Sequence, residues 1–165
     1  MTRHDALHLV KGGLPMMKRL FGGGGAAEVE APAKVFPVTF TDAEWRARLT
    51  PEQYGVLRQH GTERPGTCAL NYEKRAGAFS CAGCGQKLFV SGTKFESGTG
   101  WPSFADPLPG SVETTADRSL FMERTEVHCS RCGGHLGHVF EDGPPPTGLR
   151  YCMNGVAMTF EPAAA

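Results

Sequence analysis

GAFSCAGCGQKLFV (77–90) is the stretch whose reading decides the fold. GAFSC and QKLFV are short, partly alternating and rich in Phe, Leu and Val, which is the pattern of strands with one buried face. Between them lies a tight turn, CAGCG (81–85), and the same turn recurs as CSRCG (129–133). In each, two residues separate the cysteines, and the glycine after the second permits φ > 0. Four thiolates in a tetrahedron suit Zn²⁺, with Zn–S near about 2.3 Å and no open position. Cys81, Cys84, Cys129 and Cys132 are therefore assigned to one structural zinc. The 44 residues between the two pairs exceed an ordinary finger loop. The metal would clip distant strands together and remove loop-closure freedom from the unfolded chain. Two redox dithiols would instead sit at a helix start in a βαβ unit, and nothing here reads that way.

Outward from the two knuckles, SLFMERTEVHC, HLGHVF, LRYCMN and VAMTF repeat the strand pattern, with Gly, Pro, Asp and Ser between them. EDGPPPTG (141–148) reads as a stiff connection. The expected class is mainly β and antiparallel, with a short helical lead-in. TDAE places Thr41 as N-cap and Glu44 at N3 of a helix running to about Leu49. Thr50 caps a second helix, with Pro51 at its first position, Gln53 closing another box and Gly61 able to end it. Trp45, Leu49, Tyr54 and Leu57 form the inner face of this two-helix lead-in. Residues 1–37 read as a flexible tail: FGGGGAAEVEAPAKVFP offers too little apolar surface to offset its ordering entropy. The domain is then 38–165.

Composition narrows the function. The 165 residues suit one domain. Lys+Arg and Asp+Glu balance at 17 each, so no net field favours nucleic acid or anionic lipid. No apolar run approaches the roughly 18 residues of a membrane span. The 22 glycines and 12 prolines favour turns and short strands. LPMMKRLFGGGG has basic residues but no apolar stretch of roughly 7–15 residues after them, as a secretory signal needs. A reducing, cytoplasmic setting is expected, where paired cysteines mean metal or redox chemistry.

Two cysteines remain once the metal is satisfied. A leftover cysteine is most often a small buried hydrophobe. Cys152, in GLRYCMNGVAMTF, follows Arg150, whose charge favours thiolate, and His135 and His138 of HLGH can do the same from a neighbouring strand. With Cys₄ complete, both imidazoles are free for other work. Cys68 lies in HGTERPGTCALNYEKRAG, a polar, glycine-punctuated loop. One thiol beside histidine and one on a loop fit sulfenic acid formation followed by disulfide resolution.

SGTGWPSF (97–104), CGGHLGHVFEDGP (132–144) and GLRYCMN (148–154), with both knuckles in order, resemble the methionine sulfoxide reductases of the B type. The resemblance spans about Thr41 to Pro162. It implies two antiparallel sheets in a tent-like arrangement, with the zinc distant from the catalytic cysteine. It implies reduction of the R epimer of methionine sulfoxide, mainly within proteins, with thioredoxin as reductant. On that reading Cys152 attacks the sulfoxide sulfur. His135 or His138 supplies a proton to its oxygen. Trp101 lays a flat ring against the S-methyl, Phe140 completes the apolar wall, and Asn154 hydrogen-bonds the oxygen or a water. Arg150 and Asp142 pair and hold the site. Many members carry a resolving cysteine where this chain has Thr99. Cys68 lies in the upstream loop other members use, so it is expected to attack the Cys152 sulfenic acid after a loop movement. Gly155 stands where serine is common, with no expected effect on the chemistry.

Two other classes compete. A zinc-ribbon module without catalytic activity explains the knuckles, but predicts a basic face interleaved with aromatics and leaves Cys152, HLGH and GWPSF without a purpose. A zinc hydrolase needs an open metal position, which four cysteines do not leave.

Overall fold

The structure is a computed structural model in which residues 32–165 are described. The expected tail, as far as residue 31, lies outside the described residues. A compact unit spans Lys34–Ala165. Phe36 already belongs to it, set edge-on to His128 with ring centroids 5.7 Å apart.

Both capping boxes form. The Thr41 side chain accepts from the Glu44 N–H ahead of α1 (Asp42–Arg48). Thr50 does the same for Gln53 ahead of α2 (Pro51–Gln59), with Pro51 in the first turn. The end of α2 departs from expectation. His60, not glycine, takes the left-handed conformation (φ 54°, ψ 32°). Gly61 is required for a different reason. Its N–H donates to Gly55 O at 2.9 Å, so close that a Cβ there would lie 2.7 Å from the same oxygen.

The strands form two antiparallel sheets. The smaller contains β1 (Gly77–Cys81), β2 (Lys87–Val90) and, at the C-terminus, β9 (Met158–Pro162), in the order β2-β1-β9. The larger contains β3 (Lys94–Phe95), β4 (Ser103–Phe104), β5 (Val112–Asp117), β6 (Arg124–Cys129), β7 (His135–Phe140) and β8 (Arg150–Met153), in the order β3-β4-β8-β7-β6-β5. Three of these were not expected. β3 and β4 are two residues long and carry no period, and β5 (VETTAD) shows no apolar face because it is a sheet edge. The run expected from Ser119 is also shorter. Ser119–Phe121 forms a 3₁₀ turn, and the strand begins at Arg124.

Aromatic rings join the sheets. Phe79 and Phe89 are cross-strand partners on β1 and β2. Phe104 of β4 stacks on Phe89 at 4.3 Å and meets Phe79 edge-on at 5.0 Å. All three are fully buried, and each such ring contributes about 1.5–3 kcal/mol by leaving water. Helix α2 packs against β7 and the turn at Gly155–Ala157. Arg58 of α2 lies 4.6 Å over the Trp45 ring and donates from Nη1 to Cys132 O at 3.1 Å, bracing the second knuckle. Replacing Phe89 by Ala removes the ring on which Phe104 stacks. It should lower unfolding free energy by about 3–5 kcal/mol in urea titrations, a far larger change than Ala at the exposed Thr115 should give.

Candidate active site

The four knuckle cysteines converge. The Gly85 N–H donates to Cys81 O, and the Gly133 N–H to Cys129 O, each at 2.8 Å. Both glycines have positive φ, 77° and 70°. The turns match in conformation as they do in sequence. The Cys81 and Cys132 sulfurs lie 3.7 Å apart, and those of Cys84 and Cys129 lie 3.6 Å apart. Sulfurs about 2.3 Å from a shared centre at tetrahedral angles would stand about 3.8 Å apart, so the set fits Zn²⁺. Gln86 Nε2 approaches Cys129 Sγ at 3.8 Å and is itself oriented by Ser111 O and Ser130 Oγ. The thiols share protons unevenly. Hydrogen bonding with Cys129 lowers the Cys84 thiol and raises that of Cys81. A bound dication would ionise all four. The purified protein should carry about one zinc per chain by elemental analysis. Cys129→Ser should lose the metal and melt at lower temperature, while Cys152→Ser should keep both.

Cys152 lies on β8 away from that cluster, opposite His138 of β7 on one side and Ser103 of β4 on the other. A pocket of about 130 Å³ exposes it together with Trp101, His138, Phe140 and Asn154, and Thr62 and Arg124 complete the wall. The glycine inside HLGH permits this arrangement. A Cβ at Gly137 would lie 2.1 Å from Cys152 O, so only glycine lets β7 approach β8 here. A strict two-residue period would put His135 and His138 on opposite faces. A register shift between Val127 and His128 breaks the period, and the two rings meet edge-on, 5.5 Å apart.

The histidines are not equivalent. His138 shares the Cys152 pocket; His135 is buried behind it, in an adjoining cavity. The His135 Nδ1 lies 2.8 Å from Glu126 Oε1, and His128 Nδ1 lies 2.8 Å from Oε2 of the same carboxylate. His138 Nε2 lies 2.7 Å from Asp117 Oδ2, which also receives a bond from Arg124 Nη2 at 2.8 Å. Burial pushes the His138 pKa below its ordinary value, and the Asp117 hydrogen bond only partly opposes it. At neutral pH the ring is uncharged.

The expected depression of the Cys152 pKa is reversed. Burial pushes the thiol up, while the Arg150 charge and hydrogen bonding from Thr99 and Arg150 pull it down by less. The Arg150 charge favours its thiolate and the Asp142 charge opposes it. Arg150 and Asp142 pair as expected, through two hydrogen bonds of 2.8 and 3.0 Å. The guanidinium lies 4.5 Å over the Phe140 ring, which fixes both. Thr99, which offers no second thiol here, pairs through its hydroxyl with Ser97 Oγ at 2.8 Å.

Glu63 is the main residue that the sequence reading missed. Its N–H donates to Asn154 Oδ1 at 2.9 Å, and its carbonyl accepts from Trp101 Nε1 at 3.1 Å. Its carboxylate accepts from the Gly155 and Val156 N–H groups at 2.9 and 2.8 Å. Trp101 and Asn154 are therefore held by one residue of the upstream loop. Asn154 also donates from Nδ2 to Leu136 O at 2.9 Å, so much of its amide is already engaged. Glu126, Asp117 and Arg124 were missed as well. RTEVHC does carry a signal: Arg124, Glu126 and His128 alternate along one face, an odd set of charges for an inner strand of a sheet.

Cys68 lies outside the Cys152 pocket, in a neighbouring groove that shares Thr62 with it. Its sulfur rests on Gly155, where a Cβ would come within 2.4 Å of it. Gly155, expected to be neutral, is thus the seat of the Cys68 side chain. Burial raises the Cys68 thiol too. Both cysteines are free.

The SelR domain family matches residues 49–162. Among curated proteins, the peptide methionine sulfoxide reductase MsrB of Agrobacterium fabrum is 56% identical over 76% of this chain and 93% of its own. That of Methanosarcina barkeri is 61% identical over 73% and 86%, and that of Leptospira interrogans 54% over 76% and 97%. The crystal structure of the Mis18 'Yippee-like' domain overlies 55% of this chain and 100% of that one, at TM-score 0.45 and 20% identity. The matches define an oxidoreductase, which sets aside the zinc-ribbon and hydrolase readings. The chain belongs to the methionine sulfoxide reductase B family.

The raised Cys152 pKa can be measured directly. In the Cys68→Ser protein, alkylation of Cys152 by iodoacetamide should rise with pH through and beyond the ordinary thiol value of 9.0. Arg150→Met removes the charge that favours thiolate and should move the midpoint higher still. A midpoint below the ordinary value would contradict the burial effect.

Proposed function

We propose that this enzyme reduces the R epimer of methionine sulfoxide in proteins through Cys152, Cys68 and thioredoxin. The observation that carries the reading is the pocket in which Cys152 faces His138, Trp101, Phe140 and Asn154. A sulfoxide sulfur is a weak electrophile until its oxygen is protonated or strongly hydrogen-bonded. The resting pocket holds a neutral thiol beside a neutral imidazole. When the sulfoxide docks, the Cys152 proton passes by way of His138 to the sulfoxide oxygen. The thiolate attacks sulfur and the oxygen ends on Cys152, giving Cys–SOH and the free thioether. No external proton is consumed: thiol plus sulfoxide becomes sulfenic acid plus sulfide.

The remaining residues position substrate. The Trp101 ring, fixed through Nε1, receives the S-methyl, and Phe140 closes the other apolar side. Asn154 has one amide N–H beyond its bond to Leu136 to offer the oxygen. Arg150, held by Asp142, compensates the thiolate as it forms. His135, gripped by Glu126, orients the His138 ring edge-on. The structural role of zinc is to hold the knuckles, and no step passes through it.

Resolution needs Cys68 to leave Gly155 and reach Cys152. The Cys68 thiol then displaces the hydroxyl of Cys–SOH as water, leaving a disulfide for thioredoxin to open by exchange. Reduced thiols at both positions suit the reducing cytoplasm.

Cys152→Ser should abolish reduction of the R sulfoxide without loss of zinc or fold; surviving turnover would end the nucleophile assignment. His138→Gln should slow methionine release by roughly 10²-fold or more, with little change in KM. Cys68→Ser should still release one methionine per enzyme in a single turnover, yet cycle slowly with thioredoxin. Equal cycling in both proteins would remove Cys68 from the pathway.

A further inference from the structure

Between β5 and β6 the chain turns through Arg118–Glu123 with three large apolar side chains in succession directed to solvent. Leu120 is 73% exposed, Phe121 fully exposed and Met122 57% exposed. Leu120 and Phe121 both adopt left-handed backbone, φ 56° and 57°, which branched and bulky residues rarely adopt. Strain that displays apolar surface points to a use for that surface.

The turn is tied to the active site. Asp117 Oδ1 accepts from the Ser119 N–H at 2.9 Å, while Oδ2 of the same carboxylate lies 2.7 Å from His138 Nε2. Arg124, at the other foot of the turn, lines the Cys152 pocket. A cavity of about 510 Å³ runs from Ser119 and Leu120 to His135 and His138, and it shares Thr62, Arg124 and His138 with the pocket that exposes Cys152. That inner pocket, about 130 Å³, holds a side chain and no more. The backbone that carries the side chain must lie outside, and the cavity leading to the turn adjoins the pocket along three shared residues, against one for the Cys68 groove.

We propose that the Leu120–Phe121–Met122 tip docks the polypeptide on either side of the oxidised methionine, as an unfolded, apolar segment. The inference rests on the reductase reading above. The occupant is extended chain because the surface is a narrow tip, not a broad face, and its Leu120 lines the cavity that adjoins the pocket. It is apolar because the tip side chains are. A folded protein seldom presents methionine with apolar neighbours to solvent, so the tip favours oxidised chains that have lost their fold.

The test compares two substrates on one variant, Leu120→Asn/Phe121→Asn/Met122→Ser. Asparagine tolerates left-handed backbone, so the turn is kept while its apolar surface is lost. The substrates are N-acetyl-methionine R-sulfoxide and peroxide-oxidised β-casein, an unfolded chain. KM for oxidised casein should rise about tenfold, with kcat, melting temperature and all constants for the small substrate unchanged. Unchanged casein kinetics would overturn the proposal. So would an equal loss on both substrates, which would mean that the tip acts through Asp117 and His138. A wild-type dimer that the variant converts to monomer would assign the tip to a second copy of the chain. Slowed thioredoxin cycling with normal single turnover on casein would assign it to the reductant. Wild-type protein inert toward even the small substrate would overturn the reductase reading, and this proposal with it.

Discussion

Four sulfurs less than 4 Å apart across each pair close a span of 44 residues, and much of the architecture follows from that closure. One knuckle ends β1 of the small sheet, and the other joins β6 to β7 of the large one. Drawing them together fixes the two sheets relative to each other, with Phe79 of the stacked phenylalanines on the same strand as Cys81. The helical lead-in is braced on the same point through Trp45, Arg58 and the Cys132 carbonyl. A metal held by the four sulfurs would make β7 a fixed reference, and β7 carries His135 and His138.

The site itself depends on a close approach and a buried charge network. Gly137 lets β7 lie against β8 with no side chain between, so His138 and Cys152 face one space. Behind them, the Glu126 and Asp117 carboxylates each grip a histidine. Burial then sets the resting state: the thiol is raised and the His138 imidazole lowered, so neither carries charge before substrate arrives. In the proposed chemistry charge separation arises only when a sulfoxide oxygen is present to take the proton, so the cost of ionising a buried thiol is met within the reacting complex.

Much of this was legible in the sequence because the signals were local. The capping boxes at Thr41 and Thr50, the CxxCG turns and the alternation in HLGHVF each need only a few neighbouring residues. The misses share a cause, which is dependence on partners distant in sequence. β3 and β4 exist only because β8 lies beside them. β5 is an edge without an apolar stripe. Glu63 reads as one charge in a polar loop until its partners, some 38 to 93 residues away, are brought to it. The sign of the Cys152 shift was misread for the same reason. Arg150 is visible two residues upstream, whereas burial is a property of the assembled sheets.

Gly155 shows how one small residue can couple the two thiols. The segment after β8 must pass beneath the 61–68 loop, and Glu63 fastens the two through the Gly155 and Val156 N–H groups. With serine at 155, a side chain would occupy the space that the Cys68 sulfur fills. Glycine there and cysteine at 68 are therefore one structural choice. In the proposed cycle the loop keeps Cys68 one groove away while Glu63 holds Trp101 and Asn154 against the substrate. The contacts that assemble the substrate wall thus also restrain the resolving thiol. In that cycle, resolution is expected to follow product release, since Cys68 and the wall residue Glu63 share one loop.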